Sequence, residues 1–154
     1  MRVSVIATVK NEAASIGGLL DSLLAQTRRP DEVILADGGS TDGTREIAAS
    51  YVIRGLPLRM LNAPGSNISQ GRNRAVAAAG GEVIASVDAG VRLEPAWLAE
   101  LVAPFEGGAG GAPAVVCGFF QADPRTTFET ALGASTLPDL EDVNPATFLP
   151  SSRS

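Results

Sequence analysis

Three short segments of the chain carry acids or hydroxyls directly after apolar runs: Thr8-Val9-Lys10-Asn11-Glu12, Asp37-Gly38-Gly39-Ser40 and Asp88-Ala89-Gly90. One acid after a strand is usually a turn former or a helix cap. Each of these three, however, closes a run that reads as a strand, which would bring all of them to the carboxyl edge of an open parallel sheet. That edge is where α/β proteins bind ligands. The glycines let a ligand approach the backbone closely. Arg72 and Arg74 add cations near the start of a helical segment. Arg74 reads as part of a solvated helix face. Arg72 follows Gly71 close to a helix N-terminus and suits an anionic ligand such as a diphosphate.

Other chemistries are closed off by composition. Histidine is absent, which excludes Ser-His-Asp and Cys-His catalysis and every His-ligated metal site. The lone Cys117 cannot form an intrachain disulfide and, within the apolar run 114–120, reads as a small buried thiol. A net charge of −5 provides no basic field for nucleic acid or anionic lipid. With 154 residues, 45% hydrophobic and 19% charged, the chain fits one folded α/β unit. No apolar run approaches the roughly 18 residues that cross a bilayer. The start, Met1-Arg2-Val3-Ser4-Val5-Ile6, lacks the long apolar stretch of a signal peptide.

Short apolar runs alternate with helix-period segments over the first two-thirds, as in βαβ units around a mostly parallel sheet. Strands are expected at 3–8, 32–36, 58–61 and 83–87, the last stopping at Asp88. A helix is expected over 12–26, with Asn11 as its N-cap and Ile16, Leu19, Leu20, Leu23 and Leu24 on its buried face. Further helices should run from 43 to about 50 and over 67–79. Pro95 suits the first turn of a helix whose Trp97, Leu98, Leu101, Val102 and Phe105 form an apolar core stripe. Beyond it come a Gly/Ala loop at 107–113, a fifth strand at 114–121 and a short helix at 126–134. Residues 136–154 show no periodicity, and the polar tail Pro150-Ser151-Ser152-Arg153-Ser154 reads as an interruption.

Val3-Ser4-Val5-Ile6-Ala7-Thr8-Val9-Lys10-Asn11-Glu12, Asp37-Gly38-Gly39-Ser40-Thr41-Asp42-Gly43-Thr44, Gly71-Arg72-Asn73 and Val87-Asp88-Ala89-Gly90 stand in the order and spacing of family 2 glycosyltransferases. The chain resembles that family well over about residues 3–106 and loosely beyond. The resemblance implies a GT-A fold, a Rossmann-like, mostly parallel sheet flanked by helices, cut short before the acceptor half. On this reading residues 1–122 bind a nucleotide-sugar and 123–154 begin an incomplete acceptor-side region. It also implies inverting transfer from a nucleotide-diphosphate-sugar, a UDP-sugar foremost, to an acceptor hydroxyl not identified by the sequence. The implied donor contacts are Thr8, Val9, Glu12, Asp37, Gly38, Arg72, Asp88 and Ala89. Asp88 would also be the ligand for Mg²⁺ or Mn²⁺, hard cations suited to carboxylate and phosphate oxygens. A cytoplasmic location is expected, with membrane association at the inner face of the plasma membrane through sequence beyond Ser154.

Two positions depart from the commonest family pattern. Gly38 stands where many members carry the acid that reads the nucleobase, and Gly90 where they carry a second metal-side carboxylate. Metal binding would then rest on Asp88, substrate phosphates and water. No general base is identifiable. Glu141-Asp142 imitates the family's acidic base motif in letters, but it precedes Phe148-Leu149-Pro150-Ser151-Ser152-Arg153, a stretch that normally comes before that motif. The pair reads as surface acids. A non-catalytic nucleotide-binding module, or a fragment completed by a partner, is the alternative. A nucleotidyltransferase fits less well, because no glycine cluster surrounds Lys10, the only lysine. A dinucleotide dehydrogenase fits less well still, because no G-x-G-x-x-G follows the first strand.

Overall fold

The computed structural model describes residues 1–107, 113–118, 120–124 and 126–136. The chain divides into two compact units, Met1–Pro113 and Ala114–Ser154. The first unit holds β1 (Val3–Val9), α1 (Ile16–Leu24), β2 (Glu32–Asp37), α2 (Thr44–Ile53), β3 (Leu58–Asn62), α3 (Ile68–Ala78), β4 (Val83–Ser86) and α4 (Trp97–Glu106). The strands form a sheet in the order β3-β2-β1-β4, every pairing parallel. In the second unit, α5 (Thr127–Thr136) lies at the place expected for a short helix.

The two-residue period of the strands divides the core between the faces of the sheet. Val3, Val5, Ala7 and Val9 of β1, with Val33 and Leu35 of β2, pack into the larger cluster with Ile16, Leu19, Leu20, Leu23, Leu98 and Val102. Ile6, Ile34 and Ala36 point the other way and meet Ala75 of α3. That second layer is built from small side chains, so α3 lies close on the sheet. A Cβ at Gly71 would stand 3.0 Å from Thr8 Cγ2, so Gly71 is explained first by this close approach. Of the expected α4 stripe, Leu98 and Val102 are buried and Trp97 packs against the core.

Three expectations are corrected. The first helix starts at Ile16 rather than at residue 12, and Asn11 is not its N-cap. Asn11 adopts φ 57°, and the amides of Asn11, Glu12 and Ala13 donate to the side chains of Ser40, of Thr44 at the start of α2, and of Asp42. Acceptors distant in sequence thereby divert a segment whose local periodicity favoured helix. The expected strand 114–121 is likewise not formed among its described residues. Val115 and Phe120 are exposed, and Cys117 is exposed rather than buried. Strand-type composition does not make a strand when no neighbouring edge satisfies its backbone groups. The loop expected at 107–113 falls mostly outside the described residues.

At the amino edge of the sheet Glu32 gathers several partners. Its carboxylate accepts from Ser4 Oγ at 2.7 Å, Gly80 N at 3.0 Å and Arg59 Nε at 3.1 Å. Ser4 Oγ in turn accepts from Gly81 N at 2.9 Å. These bonds, led by the Gly80 amide and the Ser4 hydroxyl, hold the Glu32 carboxyl down to about 2. A carboxyl depressed in the folded state contributes stability that is present above its unfolded value and lost as pH falls through the folded one. Glu32→Gln should therefore cost on the order of 2 kcal/mol at neutral pH. The gap between wild type and variant should close between about pH 4.5 and 2. Urea unfolding at stepped pH checks this, and a gap unchanged down to pH 2 would refute it.

Candidate functional site

β2 and β4 lie on opposite sides of β1, so the strand order reverses at β1, and open α/β sheets bind ligands at the carboxyl edge of such a point. The sequence places Thr8, Asp37 and Asp88 around that edge, and the register bears this out for the first two. Thr8 pairs with Ala36, and Val9 with Asp37. Asp88 follows β4 by two residues.

Across this edge Arg72 Nη2 donates to Asp88 Oδ1 at 3.0 Å. α3 carries the arginine. Its start is fixed by a capping box in which Gln70 N donates to Asn67 Oδ1 and Asn67 N donates to the Gln70 side chain. Both charged side chains remain open to solvent, 33% exposed for Arg72 and 44% for Asp88. The pair is thus held in place yet accessible.

Asp37 is placed differently. Its side chain is 0% exposed. Oδ1 accepts from Gly39 N at 3.2 Å, Ser40 N at 2.9 Å and Ser40 Oγ at 2.6 Å. Oδ2 lies 3.3 Å from Arg45 Nη1 but accepts no hydrogen bond among the described residues. The carboxylate therefore organises the loop first, and only Oδ2 retains capacity for a further donor.

Gly38 N donates to Val9 O at 2.9 Å, so Val9, its side chain buried in the larger core cluster, contributes its backbone to the loop. A Cβ at residue 38 would lie 3.5 Å from both Cβ and Cδ of Lys10 and 3.4 Å from Ser66 O. This is ordinary van der Waals contact, so the position can take a side chain. Ala89 is buried in the larger core cluster and likewise offers backbone only. Thr8 is half-buried against Gly71. The Glu12 carboxylate accepts the Ser15 hydroxyl and its amide donates to Thr44 Oγ1, so its partners lie toward α1 and α2. Arg74 is exposed, as expected of a solvated face. Glu141, Asp142 and the segment 148–153 lie outside the described residues.

Sequence reasoning overlooked Arg45, the ion-pair partner of Asp37, and Ser66, whose buried Oγ has no hydrogen-bond partner among the described residues. No local pattern marks either one. It also misassigned Asn11 and passed over Asp42, although the unbroken polar run Ser40-Thr41-Asp42-Gly43-Thr44 is a loop signal.

Among the described residues no group of three or more His, Cys, Asp or Glu could hold a metal ion. Asp88 offers one carboxylate, already shared with Arg72. It fits a hard cation that arrives bound to a diphosphate, and does not make a preformed metal centre. No helix among the described residues is long and apolar enough to cross a membrane.

The parallel sheet flanked by helices, with its loops gathered at the carboxyl edge, has the GT-A fold. The chain belongs to Glycosyl transferase family 2, whose model matches residues 4–144. It is 32% identical over 127 residues to an uncharacterized glycosyltransferase, EpsJ of Bacillus subtilis, covering 82% of this chain and 36% of that one. The structure of S. aureus TarS 1-349 in complex with UDP-GlcNAc matches with a TM-score of 0.62 and 31% identity, over 69% of this chain and 31% of that one. The mannosyltransferase PcManGT of Pyrobaculum calidifontis, in complex with GDP-Man and Mn²⁺, matches with a TM-score of 0.55 and 30% identity, over 59% and 28%. The chain thus spans about a third of the length of these proteins.

Proposed function

We propose that this chain forms the donor site of a glycosyltransferase that moves a sugar from a nucleotide-diphosphate-sugar to an acceptor hydroxyl with inversion. The observation that carries this reading is the Arg72–Asp88 pair, 3.0 Å apart and open to solvent at the carboxyl edge. In the transfer, the bond between the anomeric carbon and the diphosphate oxygen breaks, and its electron pair leaves with the nucleoside diphosphate. The acceptor oxygen forms the new bond and loses its proton to a base, for which the described residues offer no candidate. Charge grows on the leaving diphosphate, and the Arg72 guanidinium is the side chain that would meet it. Asp88 would approach the ribose and the cation-bound phosphates. A bound Mg²⁺ or Mn²⁺ would add further neutralisation of the diphosphate.

UDP is the nucleotide we favour, a choice supported by the complex of the TarS structure with UDP-GlcNAc. With Gly38 in place of an acid, base preference would fall to backbone groups, Lys10 and Ser66. We place the whole protein on the cytoplasmic side, at the inner face of the plasma membrane.

Calorimetric titration tests the reading. Saturable binding of UDP at one site is expected, with no appreciable sugar transfer by the 154-residue chain alone. Absence of binding by any nucleoside diphosphate, with or without Mn²⁺, overturns it. A Cβ at Gly90 would meet nothing within 4 Å, so Gly90→Asp should fold normally and supply the second carboxylate. Mn²⁺ should then tighten UDP binding by about tenfold more in the variant than in the wild type, on the scale of one charged contact. Equal metal dependence in both proteins would show that residue 90 does not face the diphosphate.

A further inference from the structure

We propose that Asn11 and Asp42 are positioning residues that clasp the loop leaving β1 to the loop leaving β2, so that both meet the nucleotide as one preorganised surface. The proposal rests on the reading of this edge as a nucleotide site.

Four hydrogen bonds of 2.9 Å join the loop leaving β1 to the stretch from Ser40 to Thr44, the first residue of α2, and a fifth, from Thr41 Oγ1 to Asn11 Oδ1, is longer at 3.5 Å. Asn11 N donates to Ser40 Oγ, Glu12 N to Thr44 Oγ1, Ala13 N to Asp42 Oδ2, and Thr41 N to Asn11 Oδ1. Three successive amides of the first loop therefore find side-chain acceptors on Ser40, Asp42 and Thr44, and two bonds return from Thr41 to Asn11 Oδ1. Asn11 reaches this geometry at φ 57°, the only positive φ of a non-glycine residue among those described. That conformation is disfavoured for most side chains and tolerated best by asparagine and aspartate.

The acceptors are themselves fixed. Ser40 Oγ donates to the buried Asp37 carboxylate at 2.6 Å while receiving the Asn11 amide. Asp42 Oδ1 accepts from Thr44 N at 3.1 Å and from the Thr44 hydroxyl at 2.5 Å, leaving Oδ2 for Ala13. Those bonds, the Thr44 hydroxyl foremost, lower the Asp42 carboxyl from its ordinary value and keep it an acceptor. Gly38 N then donates to Val9 O at 2.9 Å, extending the tie toward the ends of both strands.

A loop that is already ordered loses less entropy when a ligand binds it. Releasing the clasp should therefore appear as lost affinity in protein that is still folded. Asn11→Gly keeps the backbone conformation accessible and removes only the acceptor, whereas Asn11→Asp keeps both.

The test measures UDP affinity by calorimetry, well below the unfolding midpoint, and amide exchange of residues 39–44 without ligand. Asn11→Gly should weaken UDP binding about tenfold and speed exchange at Thr41, and Asn11→Asp should stay within about threefold of wild type. Asp42→Ala should behave as Asn11→Gly does. A clasp that served stability alone would lower the midpoint of Asn11→Gly and leave its affinity unchanged, which overturns the proposal. If wild type bound no UDP, the donor-site reading would fail separately. Unchanged exchange at Thr41 in Asn11→Gly would then overturn the clasp, and faster exchange would support the coupling of the loops.

Discussion

Arg72→Ala is expected to weaken UDP binding by about tenfold or more, and to do so more strongly at low salt than at high. The guanidinium is 33% exposed and touches Asp88 through one nitrogen, so N–H groups remain for phosphate oxygens. Removing it takes away the cation and also leaves the Asp88 carboxylate bare beside an incoming anion. Asp88→Ala should likewise cost about tenfold, but through a different loss: the proposed contact to ribose and cation-bound phosphate would go while Arg72 is freed. The double variant should therefore lose less than the sum of the two single losses, the signature of groups that act together. Calorimetry at two salt concentrations measures all three. Strict additivity with no salt effect would separate these residues from the diphosphate.

The largest effect on stability is expected from Gly81→Ala. A Cβ there would stand 2.6 Å from Ser4 N, 2.7 Å from Ser4 Oγ and 2.9 Å from Val83 O. Two of those atoms are sheet backbone, which cannot swing aside as a flexible side chain would. The substitution should force apart the start of β4 and β1 and break the bond from Gly81 N to Ser4 Oγ, which feeds the Glu32 network. A loss of about 2–4 kcal/mol follows for such overpacking combined with a broken, partly buried hydrogen bond. Gly80→Ala is the matched control, since the three atoms nearest a Cβ there all belong to the flexible Arg2 side chain, at 3.5 Å and beyond. Urea unfolding of the two variants should differ clearly, and equal midpoints would refute the packing argument.

Gly81 also shows why some of this structure was hidden in the sequence. The strands were legible because Val3, Val5, Ile6, Val33, Ile34 and Leu35 are buried on both faces of a parallel sheet and so read as continuous apolar runs. Their carboxyl ends mark the candidate site for the same reason, and the fold brings Arg72 and Asp88, which stand in separate motifs, to 3.0 Å. What failed depended on partners remote in sequence. The chain around Asn11 looked helical until Ser40, Thr44 and Asp42 supplied acceptors for three of its amides. The run around Val115 and Phe120 had strand composition without a strand beside it among the described residues. The burial of Asp37, and its use of Oδ1 to hold its own loop, follow from packing that no local spacing encodes.

Binding of a nucleoside diphosphate at the carboxyl edge is tested most directly by titrating UDP into isotope-labelled protein and following amide chemical shifts. Shifts should concentrate at Thr8–Glu12, Asp37–Ser40, Gly71–Arg72 and Asp88–Gly90, and saturate with a single affinity. No shifts at saturating UDP, or shifts gathered at the amino edge around Ser4, Glu32 and Gly81, would contradict it.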